Sequence, residues 1–211
     1  MKKLILPIVC LCFLVTIGCK NEKNNEESTS EEKTIVEETP KYTVKSASTT
    51  VKWTAYKTTE KVPVSGKFTT LKFNEKEGKT VIEALDGLLF SISVSSIFSD
   101  NEERDNKLKK SFFGAMLSPE LLAGKIYFDE NNNCFATIKM NNIKHDLPLE
   151  FKIENDKNVT LNGIMNLEDW NALEAIESLN KVCFDLHKGE DGISKTWNDV
   201  AVEITTTLSV N

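Results

Sequence analysis

Residues 147–153 read Leu-Pro-Leu-Glu-Phe-Lys-Ile. Leu147, Leu149, Phe151 and Ile153 alternate with Pro148, Glu150 and Lys152. A period of two puts one face of a strand in a core and the other in water. The same alternation returns at Val159, Leu161, Gly163, Met165 and Leu167. It returns again at Val200, Val202, Ile204, Thr206, Leu208 and Val210. Phe90, Ile92 and Val94 alternate with serines, and Trp53, Phe68, Phe73, Ile126, Phe128 and the run around Ile138 mark further strands. Many strands with little helix between them argue against βαβ units and predict a mainly β, antiparallel barrel or sandwich. No internal repeat is visible.

Two segments leave this pattern. Ser99-Asp100-Asn101-Glu102-Glu103 reads as a helix start, a capping residue followed by an acid three positions on. Leu108, Phe112, Ala115 and Met116 then share a helical face, and Pro119 stops its continuation. A second helix is predicted from Asn166 as cap through Leu179, with Leu167, Trp170, Leu173, Ile176 and Leu179 near helical spacing.

The N-terminus carries a different signal. Met1-Lys2-Lys3 is basic, Leu4 to Ile17 is almost wholly apolar, and Gly18-Cys19 follows. A positive start, a short apolar run and a small residue at the cut are what a secretory signal requires. The run is shorter than the roughly 20 residues a bilayer span takes. Thr16-Ile17-Gly18-Cys19 resembles the lipobox of bacterial lipoproteins, which implies cleavage before Cys19 and lipid on that cysteine. Residues 1–18 are therefore expected to be a signal peptide, and the chain to be held on a membrane by its lipid anchor. Lys20, rather than an aspartate, follows the cysteine and favours the outer membrane, on its periplasmic face or at the cell surface. Residues 19–41 are polar and charged, too poor in apolar groups to offset chain entropy, and read as a disordered tether. Residues 42–211 then make one domain.

The net charge is −6, and loss of Lys2 and Lys3 takes it to −8, which argues against nucleic acid as a partner. Of five cysteines, Cys10 and Cys12 leave with the signal and Cys19 is modified. Cys134 and Cys183 remain, and an oxidising envelope would let them form a disulfide.

Three motifs resemble the YceI-like family, a lipocalin-like antiparallel β-barrel of about eight strands. They are Val64-Ser65-Gly66-Lys67-Phe68, the run Asn101-Glu102-Glu103-Arg104-Asp105-Asn106-Lys107-Leu108 followed by Phe112-Phe113, and Ala136 to Ile153 with Pro148 inside. The resemblance runs from about Tyr42 to Val210. His-Ser, common in the family's first strand, is replaced by Ser48-Thr49-Thr50, and the tight turn of the third motif reads Asn142-Ile143-Lys144-His145-Asp146. The stretch from Trp170 to Trp197 is longer and more helical than the family pattern. The resemblance implies a polyisoprenoid or similar amphipathic lipid inside the barrel. It assigns the lining to Trp53, Phe68, Phe90, Ile92, Phe112, Phe113, Phe128 and Phe151, with Arg104 at the mouth.

Each of these residues also has a plain structural reading. Arg104 and Asp105 either orient a head group or fix the helix on the barrel. Lys107, Lys109 and Lys110 either attract a phosphate or make a solvated face. Phe112 and Phe113 either close a cavity or fill a core. Catalysis has little support. The chain has two histidines: His145 beside Asp146 in an expected turn, and His187 near Asp185, Glu190 and Asp191. Zinc sites need three or four ligands in tight geometry. No cofactor, metal site or catalytic set is expected. The expectation is a non-catalytic lipid carrier, with a filled-barrel module binding other envelope proteins as the alternative. A homodimer stays open.

Overall fold

The computed structural model describes residues 41–211. The expected signal peptide, Cys19 and nearly all of the tether lie outside the described residues.

Strands β1 (Tyr42–Thr43), β2 (Thr49–Lys57), β3 (Val62–Phe68), β4 (Leu71–Phe73) and β5 (Glu77–Gly78) come first. They are followed by helix α1 (Val81–Leu85), β6 (Leu89–Ser93), β7 (Ile97–Phe98) and α2 (Glu102–Lys107). Strands β8 (Leu121–Phe128), β9 (Cys134–Met140), β10 (Ile143–Glu154) and β11 (Asn158–Asn166) form a meander. Helix α3 (Leu173–Val182), β12 (Asp199–Thr207) and β13 (Ser209–Val210) complete the chain.

One antiparallel sheet runs β4-β6-β8-β9-β10-β11-β12-β2-β3-β7. Its two ends meet. Strand β4 continues β3 after Thr69-Thr70, and β7 continues β6 after the short turn Val94–Ser96. The two bent strands lie side by side, tied across the bend by Thr69 N donating to Ser96 O (3.1 Å) and Ser93 N donating to Thr70 O (3.2 Å). Counted around the ring, this is a barrel of about eight strands. Closure leaves no long unpaired edge. Strands β1, β5 and β13 form a small separate sheet beside α1.

Pro148 has a specific place in this ring. Strand β10 pairs with β9 through Ile143–Leu149 and with β11 through Glu150–Glu154. A proline has no N–H to give a ladder, so it is tolerated where a strand changes partners. The Gly66 motif is equally physical. Gly66 lies opposite Trp53, and a Cβ there would strike the Trp53 indole and approach the Phe98 carbonyl oxygen to 2.7 Å. Gly66→Ala is therefore expected to cost about 1–3 kcal/mol through overpacking. Urea unfolding would measure it; an unchanged midpoint would mean that Trp53 relocates freely.

The helices differ from expectation in detail. Asn101 caps α2 as expected, its side chain accepting from Arg104 N at 2.9 Å. The helix then widens into a π-turn over Leu108–Phe112 and tightens into a 3-10 turn over Phe113–Ala115. These irregular turns bury both Phe112 and Phe113, in edge-to-face contact at 4.9 Å. The second helix is not continuous from Asn166. A 3-10 turn spans Leu167–Trp170, Asn171 adopts φ 50°, and α3 begins afresh. Asn141 Nδ2 donates to the carbonyls of Trp170 (3.0 Å) and Asn171 (3.1 Å), so a neighbouring loop takes acceptors a continuous helix would have used. The expected turn around His145 is also corrected. Asn141 and Asn142, both at positive φ, make a two-residue hairpin, and His145 lies in β10 opposite Ile138. Such turns match strand twist when both central residues accept positive φ.

The disulfide left open between Cys134 and Cys183 is not formed. Cys134 and Cys183 are both free and buried. Cys134 opens β9, near Asp86 at the α1 end of the barrel, whereas Cys183 caps α3 at the other end. Burial pushes both thiols up, that of Cys134 to about 11, so both stay protonated.

Candidate ligand-binding site

The barrel interior is not completely filled. Its main chamber, about 140 Å³, is lined by Trp53, Phe68, Phe90, Ile92, Phe112 and Phe113, with Ile138, Met140, Met165 and Val202 among the rest. Ile176 and Leu179 of α3 close it on one side. A second chamber of about 80 Å³ reaches Leu85 and Leu88 at the α1 end. The two share Val51, Phe90, Ile92, Ile138 and Val202 as common walls. The volume sets a scale. An apolar cavity of about 150 Å³ stays dry and holds a benzene-sized guest. Pockets for larger ligands run to about 300–1,000 Å³. A long occupant must therefore displace side chains, and Met140 and Met165 are the most deformable of them.

Beyond Trp53 the main chamber adjoins a vestibule of about 270 Å³, mostly apolar but with charged side chains in its wall. Trp53, Ala55, Leu108, Leu179 and Thr196 border both spaces. Lys57, Glu103, Arg104, Lys107, Cys183 and His187 also line the vestibule. Its charged groups are partly committed. Lys107 pairs with Glu103 at 2.7 Å. Arg104 donates from Nε to Ser99 Oγ (2.8 Å) and from Nη2 to Ser99 O (2.7 Å), while buried Asp105 accepts from Ser99 Oγ. Arg104 and Asp105 thus grip Ser99 together and hold α2 against the end of β7, while Arg104 remains in the vestibule wall.

His187 has a defined tautomer. The Thr196 hydroxyl gives its one proton to Asn180 Oδ1 (2.8 Å), so at 2.6 Å it can only accept from His187 Nδ1. Nε2 keeps its lone pair. Burial, then the charges of Lys57 and Lys107, lower the His187 pKa to about 4. The folded protein therefore holds this imidazole neutral, whereas the unfolded chain protonates it near 6.5. Its contribution to stability is complete above pH 6.5, declines as pH falls from there, and levels out below about 4. His187→Gln is expected to flatten that part of the stability–pH curve, measured by urea unfolding between pH 4 and 8.

The model of the YceI-like domain matches residues 42–208. The chain belongs to the YceI-like family. The fold is similar to that of a polyisoprenoid binding domain from Saccharophagus degradans implicated in plant cell wall breakdown. That match has 12% identity and TM-score 0.58, covering 82% of this chain and 99% of the other. Burkholderia cenocepacia BcnA matches at 14% identity and TM-score 0.49, over 80% and 99% of the two chains. A Campylobacter jejuni YceI protein matches at 18% identity and TM-score 0.47, over 70% and 85%. A search of curated proteins found no match.

Within this YceI-like barrel, six of the nine expected ligand residues surround the main chamber, and Arg104 sits in the vestibule. Phe128 and Phe151 line neither apolar chamber; they stack edge-to-face on each other at 5.3 Å. Lys109 and Lys110 do not line the vestibule. His145 packs on Trp170 at 5.1 Å and faces Asp169 at 3.6 Å, so the two histidines of this YceI-like domain do not share a site. Val51, Ile138, Met140, Met165 and Val202 were missing from the expected lining. Alternation placed Met165 and Val202 on inward faces, but period two does not separate a chamber wall from a filled core. Lys57 carried no pattern that marked it, and His187 stood out in the sequence only beside Asp185, Glu190 and Asp191, none of which lines the vestibule.

Proposed function

We propose that this YceI-like protein is a non-catalytic carrier that holds a polyisoprenoid or a similar amphipathic lipid, its tail in the barrel. The carrying observation is the pair of adjoining apolar chambers, walled by aliphatic and aromatic side chains. Each methylene moved there from water contributes about 0.8 kcal/mol. The described use of the Saccharophagus degradans relative, binding a polyisoprenoid, fits this reading. The carrier is an envelope lipoprotein, exported and then anchored through Cys19 on the outer membrane.

Mass spectrometry of lipid extracted from the purified full chain tests the cargo. A prenyl-type or related amphiphile at near-equimolar amount is expected. A barrel that arrives empty and refuses added prenyl lipids would overturn the carrier, and a stoichiometric protein partner in a pull-down would then favour an interaction module. For the anchor, Cys19→Ser is expected to abolish incorporation of labelled palmitate; incorporation that persists would sink the lipoprotein reading.

A further inference from the structure

We infer that α2, the turns that follow it and α3 form a cap that opens to admit cargo to the main chamber, and that Asn141 is its latch. This rests on the carrier reading and adds to it the route by which cargo enters.

Size creates the need for a moving part. The main chamber, at about 140 Å³, is below the scale of about 300–1,000 Å³ at which larger ligands are held. Its walls are of two kinds. Trp53, Ile138 and Val202 stand on strands that pair with a neighbour on each side. Moving them breaks a ladder of backbone hydrogen bonds. Phe112, Phe113 and Ile176 belong instead to the cap, where the π-turn, the 3-10 turn and α3 pack chiefly on one another. Segments that separate from the sheet by losing side-chain contacts open at lower free energy than its central strands.

The cap is held at two margins. On the vestibule side Arg104 and Asp105 grip Ser99, and Asn180 Oδ1 of α3 accepts from Ser194 Oγ (3.2 Å) and Thr196 Oγ1 (2.8 Å). These bonds are buried or partly buried. At the other margin a single side chain holds both halves. Asn141 Oδ1, in the turn between β9 and β10, accepts from Leu117 N (2.8 Å), where the first half ends. Its Nδ2 donates to the carbonyls of Trp170 and Asn171, where the second half begins. The bonds to Leu117 and Asn171 are exposed, so water competes for both groups and each contributes little net. The chain has a joint beside each of them. Ser118 and Asn171 take φ 52° and 50°, a region that few residues other than glycine adopt. The Asn141 margin therefore releases first. The chain bends at Ser118 and Asn171 while buried Trp170 stays in place.

The test compares the full chain with Asn141→Gly and Asn141→Asp, by hydrogen exchange and by stopped-flow association of farnesol. Trp53 lines the chamber, so tryptophan fluorescence reports arrival. Glycine tolerates the φ of 51° at this position and loses all three bonds. Aspartate keeps the acceptor for Leu117 and loses the two donated bonds. In Asn141→Gly, amides of residues 113–117 and 171–176 are expected to exchange at least about tenfold faster than in the parent, and farnesol to associate faster by a similar factor, since both follow the open fraction. Amides of β11 and β12 should keep their protection. In Asn141→Asp the faster exchange should be confined to residues 171–176. Cap exchange at the parent's rate, or faster exchange without faster association, overturns the gate and leaves the carrier standing. Fast exchange that spreads through β11 and β12 in both variants overturns it too, because Asn141 would then hold the barrel and not the cap. Farnesol binding to none of the three chains overturns the carrier itself.

Discussion

Val202→Phe is expected to fold as well as the parent and to bind prenyl lipid at least about 100-fold more weakly, a change of ~2.7 kcal/mol. Val202 sits in β12 between Trp53 of β2 and Gly163 of β11, and it walls both apolar chambers. The main chamber, at about 140 Å³, is close in size to cavities that accept one benzene ring. A phenylalanine ring at this position occupies the space a tail would need. Filling an existing void avoids the strain of overpacking a full core, so stability should stay level or rise. Calorimetric titration with farnesol gives the affinity, and urea unfolding gives the stability. Full affinity in a folded variant would mean that lipid does not use the barrel interior.

Trp170→Ala is expected to cost about 3–5 kcal/mol, the range for deleting a fully buried large aromatic. Trp170 is 0% exposed. Its indole Nε1–H donates to the Ile138 carbonyl of β9 at 2.9 Å, and its own carbonyl accepts from Asn141. The residue therefore nails the segment before α3 onto β9 and the hairpin turn that follows it. Losing it removes packing and leaves the Ile138 carbonyl without this donor. Trp170→Phe, which keeps one aromatic ring but loses the N–H and the fused second ring, should cost less, about 1–3 kcal/mol. Urea unfolding of both variants decides the matter. Equal losses would mean that the N–H and its fused ring carry the anchoring, and a small loss in both would mean that α3 docks without this anchor. Ile138 lines both chambers, so the alanine variant should also weaken lipid binding.

Much of this architecture was legible in the alternation from Leu147 onward, because a half-buried strand needs period two whatever its neighbours do. The cap at Asn101 was legible for a similar local reason. What escaped depended on contacts distant in sequence. The helix break at Asn171 is made by Asn141, thirty residues away. The separation of Cys134 from Cys183 follows from barrel ends that no spacing encodes. Of the site, the aromatic wall could be read from its residues. Lys57 and His187 could not, since a lysine at a strand end and a histidine in a loop become a vestibule only after the ring closes. Phe128 and Phe151 were misplaced because an inward face does not say which level of the barrel a residue occupies.

The described domain begins and ends at one pole. Lys41 and Asn211 exchange backbone hydrogen bonds at 3.0 and 3.1 Å, and β1 packs beside α1, away from α3 and the vestibule. The chain therefore enters the described domain at the α1 pole, opposite the vestibule. Whatever the N-terminal segment is fixed to pulls on the pole remote from the vestibule, and leaves the vestibule free to face the other way. If it carries lipid as proposed, the domain has a built-in polarity, like a bucket held by its base.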